Sequence, residues 1–148
     1  MVDLSRVGAV FTGTPPYTVS RAKIAEFADA VGATSPLHHD PDAAVAAGYP
    51  DVVAPPTFAV VIAQRAESEY ITDPASGIDF SRVVHANESF THTRPLVAGD
   101  VVSTAVHVDA INERAGITMV TTRTEIADDG GAPVATVVST LAVRGEGA

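Results

Sequence analysis

TFAVVIAQRAESEY, Thr57 to Tyr70, is the stretch that decides the fold. Phe58 to Ala63 is an unbroken apolar run, and a helix with no polar face belongs inside a protein. Taken alone, FAVVI also suits a strand. The continuation AQRAESEY favours a helix. Pro55 and Pro56 fit just before or within its first turn, where a missing N–H costs little. The expectation is a buried helix near the middle of the chain.

The sequence changes character after this helix. RVVHANESFTHT, DVVSTAVHVDAINE, GITMVTTRTEIADD and APVATVVSTLAVR are rich in Val, Thr and Ile, with partial alternation. PLVAGD, RAG and DDGGAP separate them. Four strands joined by tight turns read as an antiparallel meander. His85 and His92 lie seven apart on the first strand, which places them on opposite faces. Before the helix, TGTPP is a loop and YTVS a short extended segment. Ser20 then suits an N-cap. Ile24, Phe27 and Val31 recur at helical spacing and Gly32 suits the stop. PDAAVAAG reads as a short helix with Pro41 first and Gly48 last. Helices followed by long strands imply an α+β class, a single domain over residues 1–148 with the sheet wrapped around the apolar helix.

Composition removes several functions. A net charge of −9 and the lack of any Lys/Arg cluster argue against nucleic acid as a partner. With no cysteine, disulfides, thiolate metal sites and cysteine nucleophiles are excluded. No apolar run approaches the roughly 18 residues of a membrane span. MVDLSRVGAVFTG lacks the pattern of a secretory signal, so a cytoplasmic location is expected.

GATSPLHHD, Gly32 to Asp40, is the stretch with chemical content. Adjacent side chains rarely converge on one ion, so His38 and His39 do not suggest a metal site. FADAVGATSPLHHD resembles the signature of the MaoC-like (R)-specific enoyl-thioester hydratases and dehydratases. In that family a helix ends in Gly, followed by Asp-x-Asn-Pro-x-His and an acidic residue. Gly32, Pro36, His38 and Asp40 fall on this pattern. VVAPPTF falls where the family opens its central helix, and FTHTRPLVAGD resembles a further strand and turn. The resemblance spans nearly the whole chain. It is strongest toward small actinobacterial members that include non-catalytic subunits of heterodimeric mycolic-acid dehydratases.

The resemblance implies a hot-dog fold: an antiparallel sheet around a buried central helix, with protomers paired edge to edge. It also implies an acyl thioester substrate, carried by coenzyme A or acyl carrier protein, and no cofactor or metal. Hydration of an enoyl thioester needs a base to activate water, an acid to protonate the α-carbon and a donor at the thioester oxygen. His38 is the catalytic residue that the pattern keeps. Ser35, Pro56, Thr57, Phe58 and His85 are the expected substrate-binding residues, and the stripe of Phe58, Val61 and Ile62 the expected wall of an acyl tunnel. The chain departs from that signature twice. Ala33 stands at the aspartate position, and Ser35 at the asparagine. Pro56 stands where a glycine is common and has no N–H to donate, which leaves Thr57 as donor. Asp40 or Asp51 is the expected orienter of His38.

The favoured reading is a subunit of a (3R)-hydroxyacyl-thioester dehydratase, or enoyl-thioester hydratase, binding the acyl chain beside a catalytic MaoC-like partner. The alternatives are a homodimeric hydratase that uses His38, a hot-dog thioesterase and a non-enzymatic acyl-binding protein. A thioesterase would need a carboxylate at the central helix, and Glu67 and Glu69 sit late on it.

Overall fold

In chain order the elements are β1 (Val10–Phe11), β2 (Tyr17–Thr18), α1 (Arg21–Val31), α2 (Pro41–Ala46), α3 (Ala59–Ile71), β3 (Val83–His92), β4 (Val101–Arg114), β5 (Ile117–Asp128) and β6 (Pro133–Arg144). They are seen in a computed structural model that describes residues 1–147. The apolar run is helical as expected: a short 3-10 helix, Pro56–Phe58, leads directly into α3. Phe58, Ala59, Ile62, Ala63, Ala66, Glu67 and Tyr70 form its buried face, and β4, β5 and β6 pack against it. Val60 and Val61 are only half-buried, so the apolar run is not enclosed on every side.

The sheet has six antiparallel strands in the order β1-β4-β5-β6-β3, with β2 also paired to β4. Only β4, β5 and β6 form the expected meander. β3 does not pair with β4 but lies beyond β6, with His92 opposite Ala135 and Val83 opposite Val143. The link over residues 93–100 is no tight hairpin. Within it, the Asp100 carboxylate accepts from Arg94 and from the Val97 N–H. The edge of β4 is taken instead by β1 and β2.

A bulge in β3 between His85 and Asn87 shifts the register by one residue. His85 therefore faces Leu141 and His92 faces Ala135, both buried residues of the inner face. The expectation of opposite faces fails because an inserted residue resets the alternation.

Ser20 caps α1 by accepting from the Lys23 N–H at 3.1 Å. Gly32 ends the helix with φ 73°, a conformation that suits glycine. Ile24 and Ala28 are buried, but Val31, which shares the apolar spacing of Ile24 and Phe27, is 53% exposed. The packed cluster reaches α1 at Ile24 and Phe27, and the last turn runs past it. Ser20→Ala should cost about 1 kcal/mol, read as a lower urea midpoint with unchanged slope. An unaltered midpoint would contradict the cap.

The core falls into two apolar clusters. One gathers Phe58, Ile62, Leu96, Ile126 and Val137, the other Tyr70, Val108, Val120 and Leu141. Between them β5 and β6 turn Thr122, Thr124 and Ser139 inward, all fully buried. Among the described residues no helix is long and apolar enough to cross a membrane.

Candidate functional site

GATSPLHHD is shaped by local hydrogen bonds. Ser35 accepts from the Leu37 N–H at 3.3 Å and opens a 3-10 helix, Pro36–His38. Asp40 accepts from the Asp42 N–H at 2.9 Å and caps α2. The His38 side chain is half-buried, and its Nδ1 lies 2.6 Å from the Val53 carbonyl. A carbonyl only accepts, so in the neutral ring Nδ1 carries the proton and Nε2 keeps a free lone pair. Nitrogen NMR of the neutral ring should report this tautomer, and an Nε2–H tautomer would contradict the contact.

The orienter of His38 is thus a backbone carbonyl, not the expected Asp40 or Asp51. Asp40 is committed to its cap. Asp51 forms a two-pronged pair with Arg21, at 2.9 Å on each oxygen. The Arg21 guanidinium, together with the Val52 N–H, holds its carboxyl below the usual range. His39 is exposed, with Nε2 3.4 Å from the Ala33 carbonyl and 3.7 Å from Asp29. At Ala33 itself there is only a methyl group.

Val53 carries His38 to the start of α3. Its N–H donates to the Leu37 carbonyl at 2.8 Å, and the Ala54 N–H donates to Leu96 at 2.9 Å. Val53 also bridges to Val97. Three residues of chain span at most about 11 Å, so Pro56 lies within that reach of the Val53 carbonyl. Pro56 and Thr57 are exposed at the helix mouth. The Phe58 N–H is used by the Pro55 carbonyl at 2.9 Å, whereas the Thr57 N–H has no acceptor among the described residues. Phe58 is wholly buried and meets Phe27 edge to face at 5.5 Å.

The strand histidine that reaches this mouth is His92. Its Nε2 donates to the Pro56 carbonyl at 2.8 Å. Its Nδ1 is then a bare acceptor, shut off from solvent with no partner. The sequence assigns His92 no binding role and singles out His85 on this strand. His85 is exposed. It lies six register steps from His92, roughly 20 Å along β3. Glu67 lies ten residues beyond Thr57 on α3, roughly 15 Å along the axis. A carboxylate there does not meet the helix mouth. Among the described residues no group of three or more His, Asp or Glu side chains could hold a metal ion.

Comparison with known proteins bears on the fold and the family. The family model for the FAS1-like, dehydratase domain region matches residues 5–137. A UPF0336 protein of Saccharopolyspora erythraea is 52% identical over 144 residues, 97% of this chain and 92% of that protein. Among solved structures, a MaoC-like dehydratase superposes with TM-score 0.88 at 32% identity, covering 96% of this chain and 43% of that longer one. The chain thus spans less than half of that protein. The C-terminally truncated HadBC (3R-hydroxyacyl-ACP dehydratase) complex of Mycobacterium tuberculosis gives TM-score 0.83 at 27% identity, covering 93% of this chain and 96% of that one. The antiparallel sheet around α3 is the hot-dog fold of these proteins.

Proposed function

The chain belongs to the FAS1-like, dehydratase domain region family, and from that premise we propose that it is one subunit of a (3R)-hydroxyacyl-thioester dehydratase, equally an enoyl-thioester hydratase. Its role is to bind the acyl thioester beside a MaoC-like subunit that carries both the aspartate and the histidine. The observation that carries this reading is the incomplete proton-handling pair. His38 is oriented, but Ala33 offers no carboxyl, and the flanking Asp40 and Asp51 are engaged elsewhere. Similarity to HadBC, a complex, supports a two-subunit arrangement.

In the hydration direction, water oxygen bonds to C3 of the enoyl group as the C2=C3 bond opens, and C2 takes a proton. Negative charge builds on the thioester oxygen in between. The free Thr57 N–H at the start of α3 suits that oxygen, where the helix dipole adds to its effect. Ser35 and the Pro56–Phe58 turn border the thioester. His92, bonded to the Pro56 carbonyl, borders the same mouth. The reaction moves water and protons alone and calls for no redox group.

A second reading has its own observation. The free Nε2 of His38 is the atom a general base needs, which favours a homodimeric hydratase with an acid from elsewhere. Either reading makes the protein a dimer, since β3 leaves one long edge unpaired. Light scattering at micromolar concentration should show a dimer, with itself or with a MaoC-like subunit bearing Asp-x-Asn-Pro-x-His. A stable monomer that no such subunit alters would overturn the assembly.

A further inference from the structure

The polar layer between the two apolar clusters is not used by the candidate site. Glu67, on the inner face of α3, is 1% exposed. Its Oε1 accepts from the Thr122 hydroxyl at 3.1 Å, and its Oε2 has no partner. Glu88 on β3 repeats the arrangement. Its Oε1 accepts from the Ser139 hydroxyl at 2.9 Å, and its Oε2 is shut off from solvent with no partner. Thr122 pairs directly with Ser139, and Ser139 with Glu88. Directly opposed residues sit about 4.5–5.5 Å apart on one face. Two carboxyl groups therefore hang from neighbouring hydroxyls on the inner face, Glu67 buried and Glu88 half-buried, each with one orphaned oxygen. Burial and a nearby like charge both work against ionisation of Glu67, and a proton on its carboxyl would give it a donor to offer.

We propose that Glu67 and Glu88 share a single proton, and that this proton clamps the edge strand β3 to the central helix. Loss of the proton opens the clamp. Among the described residues the buried surroundings are apolar or hydroxylic. β5 presents Thr122 and Thr124, β6 presents Val137, Ser139 and Leu141, and β4 presents Val106 and Val108. On α3 the buried Tyr70 hydroxyl is also without a partner. On β3, His85 and His92 share the face of Glu88, three and four residues away. Among the described residues neither glutamate is ion-paired to a Lys or Arg. Burial, reinforced by the Glu88 charge, pushes the Glu67 carboxyl up to about 7 from 4.5.

The sign follows from linkage. Between those two values the folded chain holds a proton that the unfolded chain has released. Stability is thus greatest at the acid end of this window, falls as pH rises through it, and levels off above the folded value. The strand at risk matters twice. β3 bears the free sheet edge, and it carries His92 to the Pro56 carbonyl at the helix mouth.

Hydrogen exchange of the amides of residues 83–92, corrected for intrinsic rates, tests the clamp. Wild-type β3 should lose protection by about tenfold relative to β5 as pH rises through the window. Glu67→Gln should hold its protection, because the amide donates to Glu88 without a titrating proton. Protection of β3 that is flat in wild type, or as steep in Glu67→Gln, overturns the proposal. If the variant fails to fold, carboxyl-carbon NMR of the wild type decides. One Glu67 step near neutral pH, with the Glu88 carboxyl carbon responding in the same step, supports the shared proton. Titration of Glu67 in the ordinary carboxylate range refutes it.

Discussion

Purified alone, the chain should hydrate a short enoyl thioester about 10²–10⁴ times more slowly than it does in complex with a MaoC-like subunit bearing the intact Asp/His pair. The magnitude is that of one missing general acid or base. Ala33 contributes a methyl group where proton transfer needs a carboxyl. The oriented imidazole of His38 cannot both activate water and protonate the α-carbon in one concerted pass. The Thr57 N–H remains for the thioester oxygen, so binding should persist when turnover does not. Loss of enoyl absorbance with crotonyl-thioester gives the two rates under one set of conditions. Equal rates with and without the partner would contradict the division of labour.

Phe58→Ala should destabilise the fold by about 3–5 kcal/mol. Phe58 has no exposed surface and sits where the 3-10 helix becomes α3. Its ring meets Phe27 of α1 at 86° and packs within the cluster that holds Ile62, Leu96 and Val137. Truncation removes the contact that joins α1, α3 and the sheet, and the surrounding rigid elements cannot close the space. Against a typical total of about 5–15 kcal/mol, the variant should be partly unfolded at moderate temperature. Denaturant titration measures it, with Phe58→Leu as the milder control. A loss below about 1 kcal/mol would show that the cluster collapses around the gap.

The sequence carries these elements unequally. The helix at 57–70 is legible because the apolar run continues into AQRAESEY, which suits a helix and not a strand. The turn around His38 is legible because Gly32, Ser35, Pro36 and Asp40 each perform a local task that depends on nearby backbone. The partner of His38 is not legible, since a backbone carbonyl such as that of Val53 leaves no residue signature. The place of β3 is hidden for a related reason. PLVAGD looks like a turn, while the choice of β6 over β4 is made by strands far along the chain. One inserted residue near Ala86 then moves His85 and His92 to a common face, which defeats any count by twos. Glu67 and Glu69 look alike in AQRAESEY. Yet Glu69 accepts from the Gly13 N–H at 3.0 Å at the surface, and Glu67 lies in the core. The signal for Glu67 lay in β5, where Thr122 and Thr124 fall at inward positions among Val120 and Ile126 and call for a polar partner on the helix.

The central claim, that the proton-handling pair is incomplete in this chain, is tested most directly by crotonyl-thioester hydration without a partner, comparing wild type with His38→Ala. The complex with the intact subunit serves as the positive control on the same substrate. Wild type and His38→Ala should turn over at the same low rate. A fast wild type whose rate His38→Ala abolishes would contradict the claim and make His38 a working base.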